Sequence, residues 1–346
     1  MSKACEARLD AKPSACPRPA KERGVARVLV LGCGSIGRRH IANLGALEVG
    51  DVRVFDVDRA RARAAGMTVV DDLDAAWAWP PQAVIIATPT ASHVELALAA
   101  VEHGCHVFIE KPLSHQLAGV RELEHAAARR GVTTLVGCNM RFHFGPATMK
   151  RLLDAGAIGD VLAARLQTGS YLPNWHPATN YHRGYSADPD SGGAVLDCIH
   201  ELDLALWYLG PATLAGACAA PARSLGLETD GVCELVLRHE CGAISGVHLN
   251  FIQRDYRRTC QLIGTEGTLY WDEEDGRVLR YGPAGQLAEQ FAPPHDWGLN
   301  QMYIIELAHF LRAAGGVEPS CNPITAAIAP LEIALAARRS GWRASA

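Results

Sequence analysis

The sequence predicts an α/β protein whose first half is a doubly wound parallel sheet, followed by a second domain built on antiparallel strands. Two patterns carry this. Short aliphatic runs alternate with helical stretches of about 10 to 14 residues between residues 26 and 137, the first run ending in a glycine-rich turn. Beyond residue 230 the runs succeed one another across short turns, as in an antiparallel sheet. The chain has 346 residues, enough for two such domains.

The first strand is Val28-Leu29-Val30-Leu31, leading directly into Gly32-Cys33-Gly34-Ser35-Ile36-Gly37 and a helix from Arg38 to Leu47. In a G-x-G-x-x-G turn of a dinucleotide site, the first glycine permits the tight bend. The second lets backbone approach a pyrophosphate, and the third allows close helix–strand packing. The phosphates then rest on free N–H groups at the helix start, including those of Ser35 and Ile36. Val52 to Phe55 forms the second strand and ends in Asp56, whose carboxylate is placed to accept both adenosine ribose hydroxyls and to repel a 2′-phosphate. NAD is the expected cofactor. Arg59 and Arg61 keep NADP open as the alternative.

The alternation continues through Ala83–Ala87, the turn Thr88-Pro89-Thr90-Ala91-Ser92-His93 and a helix from Val94 to His103. Next come the strand His106–Ile109, the tripeptide Glu110-Lys111-Pro112, a helix from Leu117 to Arg130 and the strand Thr134–Gly137. Ligands of such sheets bind at the carboxyl ends of the strands, where residues 32–37, 88–93 and 110–112 all fall. Thr88, Pro89, Thr90, His93, Glu110 and Lys111 are therefore candidate cofactor contacts. Beside a cationic nicotinamide and partly desolvated, Lys111 is suited to proton transfer, although a strand-end lysine is more often a solvated charge. Pro112 would hold the turn rigid, in a cis or trans form.

Gly145-Pro146 marks the domain boundary, with a helix from Pro146 to Ala155. Strands are expected at Glu234–Leu237, Ala243–Phe251, Thr259–Ile263 and Thr268–Trp271, with a turn at 264–267. Helices are expected over Asn300–Ala313 and Thr325–Arg338, the last returning toward the first domain. The resulting division is a 1–24 tail, a 25–145 nucleotide domain, a 146–325 substrate domain and a 326–346 terminal helix.

Asp197 and His200 stand at i and i+3, on one face if helical, so that the carboxylate orients a histidine base. The plainer alternative makes Asp197 the N-cap of the helix that carries His200. No further His or Asp shows metal-ligand spacing, so no metal is expected. Residues 171–193 are rich in aromatic and amide side chains, the groups a sugar pocket uses. Trp175, His176, Tyr181, Arg183 and Tyr185 are candidates to touch substrate, or to pack at a subunit interface. Arg254, Arg257 and Arg258 are candidate anion ligands or solvated strand residues.

Composition excludes other classes. Lys+Arg number 33 against 37 Asp+Glu, a net charge of -4 that does not suit a nucleic-acid binder. No apolar run approaches the roughly 18 residues of a membrane span. Eleven scattered cysteines, none in a CxxC pair, read as reduced cytosolic thiols. The first 24 residues mix charge with three prolines, lack an apolar segment and read as a loose tail, not a secretory signal.

GCGSIGRRH, ATPTASHVELALAAVEHGCHVFIEKPLS, GCNMRF and GGAVLDCIHELDLALWYLG, in this order, resemble the Gfo/Idh/MocA family across residues 26 to 340. The resemblance implies an N-terminal Rossmann domain and a C-terminal α+β domain on a large, mostly antiparallel sheet. It implies NAD(P)-dependent oxidation or reduction of a hydroxyl or keto carbon, usually on a sugar or cyclitol, and assembly as dimers or tetramers through the open sheet face. It also favours His200 as base with Lys111 assisting, and adds Arg141 of GCNMRF as a substrate candidate. Asp197 departs from the pattern by one position, with two residues before His200 instead of three. The HELD form resembles a branch associated with surface-polysaccharide and nucleotide-sugar biosynthesis. Two rival functions within the same fold are NAD-dependent glycoside cleavage by transient oxidation and a non-catalytic cofactor-binding sensor or partner subunit.

Overall fold

The computed structural model describes residues 25–175 and 180–341. Six strands form the first sheet: β1 (Arg27–Leu31), β2 (Asp51–Phe55), β3 (Thr68–Val69), β4 (Ala83–Ile86), β5 (His106–Glu110) and β6 (Thr134–Gly137). Their order is β3-β2-β1-β4-β5-β6 and every pairing is parallel. The central strands are buried along nearly their whole length because helices cover both faces, which is why they read as short, mostly apolar runs. The intervening helices are α1 (Ser35–Ala46), α2 (Arg59–Ala64), α3 (Leu73–Ala78), α4 (His93–Glu102) and α5 (Val120–Arg130). The chain leaves β1 in one direction and β4 in the other, and the crevice that opens there holds the glycine turn.

Sequence periodicity does not reveal α2, β3 or α3. Arg59-Ala-Arg-Ala-Arg-Ala has no apolar stripe, and β3 is two residues long. Their signal lies in the caps: Asp58 accepts from the N–H groups of Ala60 and Arg61, and Asp72 from that of Ala75.

After a 3₁₀ turn at Asn139–Phe142 come α6 (Phe144–Asp154), β7 (Val161–Tyr171), α7 (Ala194–Asp197) and α8 (His200–Leu209). Strands β8 (Ala212–Pro221), β9 (Asp230–His239), β10 (Ile244–Asn250), β11 (Ile252–Gly264), β12 (Thr268–Asp272), β13 (Val278–Tyr281) and β14 (Leu287–Phe291) complete an eight-stranded sheet. Its order is β14-β13-β12-β11-β7-β10-β9-β8, antiparallel except for the β7–β10 pair. Helices α6, α7 and α8 pack on one face. The other face is open, with Leu162, Val236, Ile244, Tyr256 and Tyr270 exposed.

The last two helices, α9 (Asn300–Ala314) and α10 (Ile324–Gly341), cross between the halves. Leu307, Phe310 and Leu311 of α9 share a core with Val28, Val30, Phe108 and Leu135 of the first sheet. The inclusion of residues 300–314 in the 146–325 domain does not describe the packing, because α9 fills the first domain's core although it comes after the second sheet in sequence. The physical reason is the apolar face of α9, which covers first-sheet side chains next to α1. Helix α10 lies against α7, α8 and β8 and also touches β6 and α5.

Arg338 of α10 ends in an ion pair with a buried carboxylate. Its Nε lies 3.0 Å from Asp230 Oδ1, and its other nitrogens donate to the carbonyls of Pro189 and Asp190. Asp230 Oδ2 accepts the N–H of Val195 at 2.8 Å. Breaking a buried pair by removing one partner costs about 3–5 kcal/mol. Arg338→Ala should therefore destabilise the protein by about that amount in urea unfolding, and a loss below about 1 kcal/mol would show the pair to be incidental.

Candidate active site

The glycine turn is shaped by close contact. Gly32 has φ +93°, and a Cβ there would lie 2.5 Å from the Ala87 carbonyl oxygen. A Cβ on Gly37 would lie 1.9 Å from the Gly32 carbonyl oxygen, whereas one on Gly34 would meet nothing within 4 Å. Gly32 and Gly37 thus serve the protein's own packing, and Gly34 faces open space. Helix α1 starts there without a side-chain cap, with Ser35 exposed, so its first-turn N–H groups suit an anionic phosphate.

Asp56 is held from two sides. Its Oδ2 accepts the Cys33 N–H at 2.7 Å and its Oδ1 the Asp58 N–H at 2.8 Å. A carboxylate has about four lone-pair directions, so capacity remains for ribose hydroxyls. Val57 beside it is 91% exposed. Arg59 is paired with Asp71 at 2.7 Å, and Arg61 with Asp58 at 3.2 Å.

In the next turn, Thr88 is half-buried and Pro89 exposed, while Thr90 and His93 are buried. The His93 ring nitrogens lie 2.9 Å from the carbonyl oxygens of Pro112 and Thr88. His93 therefore lies between two crevice loops, its one N–H donating to one of these carbonyls. Glu110 is likewise turned inward. Its Oε1 lies 2.6 Å from His40 Nε2, and its Oε2 accepts the Lys111 N–H at 3.2 Å. The Lys111–Pro112 bond is cis.

Lys111 Nζ reaches across to the second domain and donates to the Asp197 carbonyl at 2.9 Å. Burial pushes the Asp197 carboxyl above its ordinary range, while Lys111 and the hydroxyls of Ser186 and Tyr185 act against that shift. Tyr185 is 45% exposed as a residue yet directs its hydroxyl to Asp197. Burial, and then the Asp197 charge, push that hydroxyl well up, so it remains a neutral donor. His200 is buried, with Nδ1 lacking a protein partner among the described residues. Burial, then the charges of Lys111 and Arg258, hold its imidazole well below its ordinary value.

Asp197 and His200 are not on one helix. Asp197 ends α7, His200 begins α8, and Ile199 occupies the N-cap position without a side-chain bond. Both sequence readings of this pair, a shared helical face and an Asp197 cap, are corrected by that break. The other acids of the HELD segment serve the interior. Glu201 forms an ion pair with Arg258 of β11 at 2.7 Å, and Asp203 binds Arg141 through two bonds of 2.8 and 2.6 Å. Local sequence pattern assigns neither acid a role, because each answers an arginine far away in the chain.

Arg141 also donates to the Cys321 carbonyl, so its guanidinium, matched edge to edge by a buried carboxylate, acts as a brace. Trp175 is tied to the second sheet through Ser170 at 2.8 Å and the Phe251 ring, and the Tyr181 hydroxyl donates to Leu225. Arg254 stacks on Tyr171, and Arg257 pairs with Asp272 and Glu274. Arg183 lies in the 3₁₀ turn Tyr181–Arg183 and is exposed. His176 lies outside the described residues. Among the described residues no group of three or more His, Cys, Asp or Glu could hold a metal, no helix is long and apolar enough to cross a membrane, and the cysteines are free.

A dinucleotide crevice ending in side chains fit to move protons is the plan of a nicotinamide-dependent oxidoreductase. Comparison with known proteins gives the class its family. Residues 26–138 match the NAD-binding Rossmann-fold domain of the GFO/IDH/MocA oxidoreductases, and residues 147–270 match the GFO/IDH/MocA C-terminal domain. An inositol 2-dehydrogenase of Saccharopolyspora erythraea is 31% identical over 92% of this chain and 94% of its own. The scyllo-inositol 2-dehydrogenase (NAD⁺) of Bacillus subtilis is 27% identical over 91% and 93%. A levoglucosan dehydrogenase solved with NADH and levoglucosan superposes with a TM-score of 0.80 at 21% identity, over 91% of this chain and 96% of that one. The chain belongs to the GFO/IDH/MocA family, and NAD is its cofactor.

A depressed His200 keeps its neutral, proton-accepting form below the ordinary histidine midpoint near about 6.5. Its protonation favours the unfolded chain, so its stabilising contribution is present above that pH and lost as pH falls. If His200 is the base, the acid limb of kcat/KM for alcohol oxidation should lie below about pH 6.5. A limb above that value in a pH–rate profile would exclude His200 in this environment.

Proposed function

We propose that the protein is an NAD-dependent dehydrogenase that oxidises a ring hydroxyl of a sugar or cyclitol, with Lys111 and His200 as its proton-transfer pair. The observation that carries this is the 2.9 Å contact from Lys111 Nζ to the Asp197 carbonyl, which joins the cofactor domain's lysine to the segment that bears His200. The relatives named as inositol dehydrogenases support the substrate class.

Gly34, Ser35 and Ile36 would receive the pyrophosphate, Asp56 the adenosine ribose, Val57 the adenine face, and Thr88 and Pro89 the nicotinamide half. NAD supplies the hydride acceptor. His200, neutral and buried, takes the hydroxyl proton of the substrate. Lys111 hydrogen-bonds the same oxygen and stabilises charge that develops on it. Asp197 and the Tyr185 hydroxyl fix the geometry around that oxygen, and the Tyr185 ring offers an apolar face to a sugar.

Of the three strand arginines offered by the sequence for a substrate phosphate, Arg257 is paired with Asp272 and Glu274 and Arg258 with Glu201, while Arg254 stacks on Tyr171. This supports an uncharged polyol over a nucleotide-linked sugar. The open face of the second sheet would carry self-association into dimers or tetramers.

Absorbance at 340 nm with NAD⁺ tests the reading directly. NADH should form with inositols, free hexoses or levoglucosan and not with UDP-N-acetylglucosamine. Turnover of the UDP-sugar alone would overturn the uncharged-substrate reading. Lys111→Ala should lower kcat by about 100-fold while leaving NAD⁺ affinity within a few-fold. Unchanged turnover removes the lysine from the chemistry. Asp56→Ser should relax the preference for NAD⁺ over NADP⁺, and unaltered selectivity would take Asp56 out of the ribose site.

A further inference from the structure

His40 has no role in the proton transfer, yet it is fully buried and its Nε2 lies 2.6 Å from Glu110 Oε1. It stands on α1, six residues beyond Gly34, on the helix whose start faces the cofactor. The Phe108 ring meets it edge-on at 4.9 Å, which fixes the imidazole plane. Glu110 passes the constraint on, since its second oxygen accepts the Lys111 N–H at 3.2 Å. Beyond Lys111 the line continues to the Asp197 carbonyl. One continuous set of contacts therefore joins the phosphate helix to the lysine and the lysine to the second domain.

We propose that His40 is a positioning residue: through Glu110 it locks the Lys111 backbone to the helix that receives the cofactor, so the lysine's place is set relative to the nicotinamide. A lysine side chain has four rotatable carbons, and holding its stem from the backbone removes freedom that the crevice would otherwise have to restrain. The inference rests on Lys111 lying beside the bound cofactor, the placement proposed for the active site.

The sequence offers an unusually clean probe. The chain has five lysines, Lys3, Lys12, Lys21, Lys111 and Lys150. Reductive methylation of the full-length protein with ¹³C-formaldehyde therefore gives a handful of NMR signals, including that of the terminal amine. The signal lost in Lys111→Arg identifies Lys111, and NAD⁺ alone serves as the ligand. In the unsubstituted protein this signal should shift on saturation with NAD⁺. His40→Asn, too short to reach Glu110, should lose at least half of that shift while NAD⁺ affinity stays within about threefold. His40→Gln, whose amide nitrogen can take the place of Nε2, should restore it.

An undiminished shift in His40→Asn, or equal losses in the Asn and Gln variants, overturns the positioning role. A Lys111 signal indifferent to NAD⁺ in the unsubstituted protein overturns the lysine's place beside the cofactor, and this inference with it. Should His40→Asn fail to fold, Glu110→Ala, which leaves neither bond, must lose the NAD⁺-induced shift instead, and its retention counts against the proposal in the same way.

Discussion

The close approach of α1 to β1 is the constraint on which the geometry of the crevice depends. Only a hydrogen at Gly37 fits against the Gly32 carbonyl, and Gly32 itself turns with a positive φ beneath Ala87. This approach aims the free end of α1 at the space beside Gly34. It also brings His40 within reach of Glu110, and so links the cofactor turn to the strand that ends in Lys111. A side chain at Gly37 would lift the helix and disturb both connections at once.

The second domain meets this crevice through charges paired away from water. Arg141 with Asp203 and Arg258 with Glu201 hold α8 between the 3₁₀ turn at 139–142 and β11. Each guanidinium answers one acid of the HELD segment, which frees His200 as the member without an ionic partner. Replacing such pairs with apolar groups is often tolerated, but removing one partner leaves a stranded charge. Burial first, and then the charges of Lys111 and Arg258, keep His200 neutral.

Much of this architecture is legible in the sequence. Apolar strands at 28–31, 83–86 and 107–109, a glycine turn and an acid at residue 56 outline the first sheet, because parallel strands buried on both faces allow little else. Lys111 and His200 are visible as chemistry-bearing groups at element ends. The jobs of Arg141, His93 and Glu110 are not, since each depends on a partner 19 to 70 residues away that no local pattern indicates. Asp203, 62 residues from Arg141, is such a partner, and Asp56 likewise meets Cys33 through a contact spanning 23 residues. The break between Asp197 and His200 escapes for a different reason: residues 194–209 read as one apolar, helix-compatible run, and the turn at Cys198 carries no glycine or proline to mark it.

The placement of α9 has a consequence for how the protein is made. Phe310 lies edge-on to Phe108 at 5.6 Å, and with Leu307 and Leu311 it closes the core beneath β1 and β5. During synthesis even β5, the later of the two, leaves the ribosome nearly two hundred residues before the helix that covers them. Until then their apolar face is open to water and to other chains, the condition under which nascent domains need chaperones. The N-terminal domain is thus finished from the far end of the chain, and its completion waits for the second sheet to be translated.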